Sequence, residues 1–483
     1  MALQLAKFAR RRGGEGKLNN SKASIKRVYF MFLLLFVLVI GYILKLTLID
    51  SKTMITNAYN PRLNITDDSI KSGNIYGIDG VVLAYSEKTE NTYRRYYNNG
   101  QYSAHVLGYT GIGKAGIEAT QNFVLQKIGD ETIQRIRSLV SDSEIEGNSV
   151  VLTIDSRLQK IASDLIGNNN GAVVVIEIGT GRVVSMVSKP NYNPQLVASN
   201  WEQLRTDENS PLINRATKGI YAPGSTFKIV TALTAIRNMP DVENFTFECS
   251  GTAYYQDKIM NCHSKTAHGT VDINTAFAKS CNGYFAELAN TLGNEKLIET
   301  SKTLGFNLSM PFELETSVSS VLLSATSTES ELVETAIGQG KTTVTPMFMA
   351  NLVATIGNEG LSMQPYLVDH VVNYNGSVVS RTLPKPMTSI FTPSEVKKLT
   401  EMMTQVVNSG TGGNANSEYF QVAGKTGTAQ NPHGSDHLWF VGFAPAENPE
   451  YAVAVVLENA NGSANPSVIA RKMLYNSIYR EDI

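Results

Sequence analysis

Ser225 and Lys228 stand three residues apart in the stretch YAPGSTFKIVTALTAI, Tyr221–Ile236. An alcohol becomes a useful nucleophile when a neighbouring group takes its proton. An amine can take that proton only when uncharged, and burial or a nearby cation lowers a lysine from its ordinary value of about 10.4. Pro223-Gly224 breaks the preceding loop, and Phe227, Val230, Leu233 and Ile236 then recur three apart, which predicts a helix with one buried stripe. Ser225 falls in its first turn with Lys228 on the same face, the two Cβ atoms about 5–6 Å apart. The helix N-terminus adds N–H groups and positive potential where an oxyanion would develop. Together these are the parts of an acyl-transfer site.

The pair by itself is a cheap pattern. Ser394-Glu395-Val396-Lys397 repeats it. There Thr392-Pro393-Ser394-Glu395 reads as a capping box with Pro at the first helical position, which predicts a solvated helix start. Two further patterns add weight. Ser280-Cys281-Asn282 lies in AFAKSCNGYFAELA, although Ser-x-Asn also occurs at Ser72 and Ser463. Lys425-Thr426-Gly427-Thr428 lies in VAGKTGTAQ and is the only Lys-Thr-Gly in the chain. It reads as a β-strand in which Gly427 lets a ligand backbone approach closely. A phosphate-binding loop is the rival reading of Gly-Lys-Thr, and it needs a glycine five residues before the Gly of that triplet. That position holds Tyr419 ahead of Gly424 and Thr335 ahead of Gly340, so the nucleotide reading fails.

These residues need a frame. Ala172–Ser188 carries two β-branched runs around Gly179-Thr180-Gly181, and reads as a hairpin. Leu438–Pro445 and Glu450–Asn459 read as a second hairpin, and Pro466–Tyr479 as a closing helix. Leu158, Ile161, Ala162 and Leu165 recur at helical spacing behind an N-cap at Asp155 or Ser156. Strands at both ends with helical sequence between them predict one α+β unit: a sheet made from both chain ends with a helical block inserted. Upstream, Ser72–Ser86 predicts two short strands around the Asp79-Gly80 turn. TYRRYYNNG, Thr92–Gly100, mixes aromatic and basic residues but reads more simply as a strand and its turn than as a nucleic-acid surface.

Composition bounds the class. The chain has 483 residues, 42% hydrophobic and 18% charged, with a net charge of -1. That allows a large core and about three domains, and excludes a polycation built for nucleic acid. Three cysteines exclude a disulfide-framework miniprotein and, on this reading, a cysteine-based zinc cluster. None of the six His falls in a tight metal-ligand spacing, and His263 and His268 read as loop or core residues. Cys249 and Cys262, 13 apart, are read either as a disulfide or as two small buried apolar residues.

The charge is concentrated at one end. Residues 1–27 carry a net +7, leaving -8 for the remainder. The apolar run Val28–Leu48 follows, 21 residues, about 31 Å as a helix, which matches the hydrocarbon core of a bilayer. Its exit, Leu46-Thr47-Leu48-Ile49-Asp50, lacks the small residues of a signal-peptide cleavage site, so the run reads as an uncleaved anchor. The basic flank puts the N-terminus in the cytoplasm and everything after Asp50 outside.

Ser-x-x-Lys at Ser225, Ser-x-Asn at Ser280 and Lys-Thr-Gly at Lys425, in that order, resemble the penicillin-recognising serine acyltransferases. More narrowly the chain resembles the class B penicillin-binding proteins, monofunctional D,D-transpeptidases. LTIDSRLQ (Leu152–Gln159), NRATKGIYAPGSTFK (Asn214–Lys228), IGQGKTTVTP (Ile337–Pro346) and HLWFVGFAP (His437–Pro445) support the likeness, and HVLGYTGIGKAGIE (His105–Glu118) looks like the family's N-terminal linker region. The resemblance implies a transpeptidase fold like that of the serine β-lactamases: α+β, with an antiparallel sheet flanked by helices and a helical subdomain. It implies residues 1–27 as a cytoplasmic tail, 28–48 as the anchor, 49–148 as a linker or dimerisation-like domain and 149–483 as the transpeptidase domain.

It also implies roles. Ser225 attacks the penultimate D-Ala carbonyl of a stem peptide and Lys228 accepts its proton. Ser280 relays a proton to the leaving D-Ala, and Asn282 orients Lys228 and the substrate amide. Lys425 supplies positive charge, Thr426 and Thr428 bind the terminal carboxylate, and Gly427 completes the strand. The backbone N–H groups of Ser225 and Thr428 form the oxyanion hole. The scheme needs no metal and no organic cofactor. Its implied partners are peptidoglycan stem peptides, β-lactams, the membrane through one helix, and a glycosyltransferase of the division or elongation machinery, with no nucleic acid. Two positions depart from the family: Cys281 stands where many relatives carry Asp, its side chain expected to point away from the cleft, and Ser72 replaces the Arg of Arg-Gly-x-Ile. A membrane-anchored β-lactam sensor, a carboxypeptidase or β-lactamase that uses water as acceptor, and a scaffold with incidental chemistry share the same residues.

Overall fold

The computed structural model describes residues 25–45, 71–90, 92–126, 146–256, 258–431, 434–460 and 464–480. Most of the basic tail, residues 46–48 of the predicted span, the stretch 49–70 and Ser463 lie outside the described residues. Two compact units result, Met1–Leu63 and Asn64–Ile483.

In the first unit one helix, α1, runs Ile25–Lys45, 21 residues with a mean hydropathy of 2.4. It begins three residues before the predicted Val28. Lys26 and Arg27 are good helix formers, and nothing in their chemistry stops the helix at the edge of the apolar run. By length and composition it can cross a membrane.

The second unit opens with short strands β1 (Ile75–Tyr76), β2 (Val82–Thr89) and β3 (Thr92–Tyr97), followed by β4 (Ser149–Leu152). Helix α2 (Ser156–Ile166) leads to the hairpin β5 (Gly171–Glu177) and β6 (Val183–Lys189). Its N-cap is Asp155, which accepts from the N–H groups of Arg157 and Leu158. The helical block holds α3 (Lys228–Asn238), four short strands β7 (Phe247–Cys249), β8 (Thr252–Tyr255), β9 (Lys258–Asn261) and β10 (Gly269–Val271), then α4 (Asn282–Leu292) and α5 (Pro346–Gly357). After β11 (Val368–Val372), β12 (Val378–Arg381) and α6 (Pro393–Ser409) come β13 (Ala423–Ala429), β14 (His437–Ala444), β15 (Tyr451–Leu457) and α7 (Pro466–Tyr479).

The central sheet has the order β13-β14-β15-β5-β6 and is antiparallel throughout. Both hairpins and the α+β arrangement read from the sequence are present. Alternation along the strands divides the core into two layers. Val173, Val175, Val453 and Val455 pack with Leu158 and Ala162 of α2 and Ile469 and Met473 of α7. Val174, Ile176, Ala454 and Val456 belong to the other layer, with Met347 and Val353 of α5. With both faces covered, the strands are nearly continuous apolar runs, as buried strands require.

A second sheet, of order β12-β11-β4-β1-β2-β3, joins the N-terminal strands to a pair that arises more than 200 residues later. Ser72 adjoins its β1 edge. The guanidinium of Arg95 of β3 lies beside it. Its Nη1 donates to Gly73 O at 2.8 Å and Ser86 Oγ at 3.2 Å, and its Nε to Glu118 Oε1 at 2.7 Å.

Candidate active site

Ser225 sits in a 3-10 turn, Gly224–Phe227, and α3 starts only at Lys228. The predicted helix thus begins later, behind a tighter first turn, in which positions i and i+3 eclipse. Glycines allow the turn to sit where it does. Gly224 has φ +53, and a Cβ there would lie 2.4 Å from Thr428 O on β13. A Cβ on Gly338 would come within 2.1 Å of Gly224 O. A Cβ on Gly427 would meet Pro223 O at 2.8 Å and Thr226 Cγ2 at 2.9 Å. The glycine of Lys-Thr-Gly therefore makes room for the protein's own nucleophile turn, while still lining the cleft. Trp439 Nε1 donates to Ala222 O at 3.1 Å and fixes the turn from β14.

Helix α3 is buried from Lys228 through Ala235, on all sides rather than along one stripe. Lys228 is therefore shielded from bulk solvent. Its Nζ donates to Ser280 O at 2.7 Å, Ser280 Oγ at 3.2 Å and Asn282 Oδ1 at 2.7 Å, and lies 5.4 Å from the centre of the Phe285 ring. Asn282 is itself oriented, its Nδ2 donating to Asn261 O at 2.7 Å. Ser280 holds a left-handed backbone, φ 57, at a cost of about 1–2 kcal/mol for a residue with a Cβ.

Lys425 approaches Ser280 from β13. Its Nζ donates to Ser280 Oγ at 3.1 Å and to Thr426 O at 3.2 Å, and faces the Phe277 ring at 5.5 Å. One hydroxyl thus joins two fully buried amines. Burial lowers Lys228 from its ordinary value to about 8, against an upward pull from the Cys281 and Cys262 sulfurs. Burial and the Lys228 cation together hold Lys425 well below the ordinary lysine range. The free site disfavours two positive charges, and a bound anion beside Lys425 would restore its charge at the expense of Lys228.

Ser225, Ser280, Asn282, Thr426, Gly427 and Thr428 all line one cleft of about 800 Å³, and Lys228 and Lys425 lie beneath it. Three segments far apart in sequence therefore meet around a serine hydroxyl and two buried amines held below the ordinary lysine range. Ser394 and Lys397 do neither: they are exposed at the start of α6, behind the Thr392–Glu395 capping box. The sequence did not single out Thr411, whose Oγ1 lies 2.6 Å from Thr426 Oγ1 at the cleft wall. Nor did it single out Asn261, Phe277 or Phe285, which have no motif of their own and reach the site only through packing.

The expectation that no His joins a tight ligand cluster is corrected by the structure. Cys249, Cys262, His268 and Cys281 come together, their ligand atoms all within 4.8 Å of one another. Spacing hid the cluster because its members come from β7, the two ends of the segment joining β9 to β10, and the N-cap of α4. Cys249 and Cys262 are free thiols with sulfurs 3.7 Å apart. The Cys262 thiol is lowered, first by its hydrogen bond with Cys281 and then by the N–H groups of Gly283 and Asn282. Cys281 is fully buried against these sulfurs, away from the cleft as expected.

The chain is similar to known proteins along most of its length. The penicillin binding protein transpeptidase domain matches residues 171–479, and the penicillin binding protein A dimerisation domain matches residues 72–150. The peptidoglycan D,D-transpeptidase PbpA of Mycolicibacterium smegmatis is 31% identical, over 93% of this chain and 97% of its own. The D,D-transpeptidase MrdA of Acinetobacter baumannii is 29% identical, over 85% of this chain and 69% of its own. Among solved structures, the D,D-transpeptidase domain of a peptidoglycan glycosyltransferase from Eggerthella lenta superposes with TM-score 0.78 at 33% identity, covering 85% of this chain and 99% of that one. The imipenem acyl-enzyme of penicillin-binding protein A from M. tuberculosis gives 0.79 at 29% identity, with the same coverage.

Proposed function

This chain belongs to the penicillin-binding protein transpeptidases, and we propose that it cross-links peptidoglycan stem peptides through an acyl-enzyme on Ser225. The observation that carries the reading is the shared Ser280 hydroxyl. It bridges Lys228 and Lys425 directly beneath the cleft that Ser225 lines.

The substrate's terminal carboxylate binds at Thr426, Thr428 and Lys425. Its negative charge keeps Lys425 protonated, which in turn favours neutral Lys228. Ser225 Oγ attacks the penultimate D-Ala carbonyl, forming a C–O bond while its proton passes to Lys228. The backbone N–H groups of Ser225 and Thr428 receive the oxyanion. As the C–N bond breaks, the proton travels from Lys228 through Ser280 to the departing D-Ala amine. An amine of a second stem peptide then attacks the ester, gives up its proton by the reverse route and restores the Ser225 hydroxyl. A β-lactam enters the same sequence and stops at the ester. Asn282, which holds Lys228, orients the substrate amide as well.

In this reading residues 1–27 are cytoplasmic, the anchor is residues 28–48, of which 28–45 lie in α1, residues 49–148 form the linker or dimerisation domain, and residues 149–483 form an extracytoplasmic catalytic domain. A glycosyltransferase that extends the glycan strand is the partner this chemistry calls for. A fluorescent penicillin should label the wild-type chain covalently, and Ser225→Ala should lose the label. Persistent labelling of the variant would reject Ser225. Release of the acyl group to water at the same rate with and without an added amine acceptor would favour a hydrolase instead.

A further inference from the structure

The cleft carries one feature that the acylation steps leave unused. Lys258 and Glu334 form an ion pair on its wall, in the same cavity as Ser225. Lys258 opens β9, where the hairpin with β8 sets it opposite Tyr255. Glu334 lies on the helix Glu329–Ala336, which begins behind a Thr328–Glu331 capping box. That helix is tied to the nucleophile segment. Thr231 Oγ1, one turn beyond Lys228 on α3, donates to Ala336 O at 2.7 Å. Gln339 N donates to Glu334 O at 2.9 Å, and its neighbour Gly338 accepts from Gly224 N, beside Ser225, at 2.9 Å. Two main-chain hydrogen bonds therefore connect Glu334 to the nucleophile turn.

The surroundings of the pair suit a particular ligand. Both side chains are part-exposed, 42% for Lys258 and 25% for Glu334. An ion pair so exposed adds little to stability, and its members can be exchanged. Gly340 leaves the carboxylate open, since a Cβ there would stand 3.2 Å from Glu334 Oε2. Ile259 and Ile337 line the same cavity and offer apolar surface along which a methylene chain can lie. Lys258 is itself an ammonium at the end of such a chain. The cross-linking step needs an amine from a second stem peptide beside the Ser225 ester. In neutral water an alkyl amine is an ammonium, and none of the residues assigned so far binds it. In the free protein a lysine of the chain itself holds the place that such an amine would take.

We propose, resting on the acyl-transfer reading above, that Glu334 recognises the acyl acceptor: a primary ammonium at the end of an aliphatic side chain, which displaces Lys258 from the carboxylate. Glu334 binds the ammonium, which is unreactive, and keeps it near the ester. One proton then passes from the ammonium to solvent. The neutral amine forms the C–N bond to the acyl carbon, the C–O bond to Ser225 breaks, and the second proton of the amine reaches Ser225 Oγ through Lys228. Glu334 thus selects and places the acceptor, and takes no part in acylation. The charges also sort the two stem peptides. The donor carboxylate goes to Lys425 and the acceptor ammonium to Glu334, so exchanged peptides would each face a like charge.

The test follows the acyl group in the full chain in detergent. An N-acyl-D-alanyl thioester loads Ser225, and Nα-acetyl-lysine amide or hydroxylamine is the acceptor. Mass spectrometry counts hydrolysis against aminolysis, a ratio independent of how fast Ser225 is acylated. Glu334→Gln should raise the lysine-acceptor concentration for half-maximal aminolysis about 10-fold, because the bound peptide covers the carboxylate and shields the contact from water. Lys258→Met removes the competing ammonium and should lower that concentration, by up to about 5-fold. With hydroxylamine, uncharged at neutral pH, both shifts should largely disappear. Lys341→Met removes the exposed pair with Glu331 on the same helix and should leave the lysine dependence unchanged. A pair that merely braces the cleft would shift Glu334→Gln and Lys258→Met in the same direction, and that result overturns Glu334 as the recognition residue. If Glu334→Gln fails to fold, the sign of the Lys258→Met shift decides: a fall supports the role, and a rise or no change overturns it. Penicillin labelling with both variants matching wild type in acceptor dependence overturns the role of Glu334 and leaves the acyl-transfer reading standing. A wild-type chain that neither labels with penicillin nor turns over the thioester overturns both.

Discussion

Replacing Ser280 separates the chemistry of its hydroxyl from the strain of its backbone. Ser280→Ala removes the oxygen that lies 3.2 Å from Lys228 Nζ and 3.1 Å from Lys425 Nζ. A hydrogen bond to a charged group contributes about 1.5–3 kcal/mol. Losing the bridge to whichever amine is protonated should slow penicillin acylation about 10- to 150-fold, since about 1.4 kcal/mol is a factor of ten. The missing proton relay makes this a lower bound. Ser280→Gly removes the same oxygen but also relieves the φ of 57, which costs a residue with a Cβ about 1–2 kcal/mol. Part of that gain is lost to the greater freedom of glycine in the unfolded chain, about 0.4–1 kcal/mol. The two variants should therefore acylate equally slowly, with the glycine variant the more stable by up to about 1.6 kcal/mol. Stopped-flow acylation with a fluorescent penicillin, paired with denaturant unfolding, measures both quantities. An alanine variant within about threefold of wild type would remove Ser280 from the mechanism. A glycine variant that is slow only in proportion to lost stability would mean the residue acts through folding.

The second-order rate of acylation should rise with pH and level off above about 8, because burial lowers the Lys228 amine to that value and only its neutral form can accept a proton; a flat profile across that range would exclude Lys228 as the base. The same depression has a sign in stability. An unfolded lysine keeps its proton to about 10.4, so the unfolded state binds more protons than the folded one between about 8 and that value, and Lys228 makes folding more favourable as pH rises through this window. Arg95→Ala should destabilise the second unit by about 3–5 kcal/mol, because it strands Glu118, 4% exposed, without its partner. Lys160→Ala, in an exposed pair with Asp164, should shift the denaturation midpoint very little; equal effects of the two would contradict the assigned role of burial.

What the sequence determined alone was local. The hairpins β5–β6 and β14–β15 follow from β-branched runs around turn residues. The caps at Asp155 and Thr392 follow from side chains that reach their own backbone, and the apolar α1 from simple length and hydropathy. The Ser394 pair could be set aside for the same reason: its capping box is a short-range signal. The three motifs named the reacting residues only through their order and their likeness to a family. Tertiary structure decided everything that depends on approach between distant segments. It put Lys228 and Lys425 on one hydroxyl, supplied a guanidinium beside Ser72 from Arg95, and used Gly427 to admit the nucleophile turn. It also assembled Cys249, Cys262, His268 and Cys281, which one-dimensional spacing had excluded. The reason is physical: hydrogen-bonded caps and alternating strands are written within a few residues, whereas burial, lowered pKa and ligand geometry exist only after the folded chain has excluded water and brought remote side chains within a few ångströms.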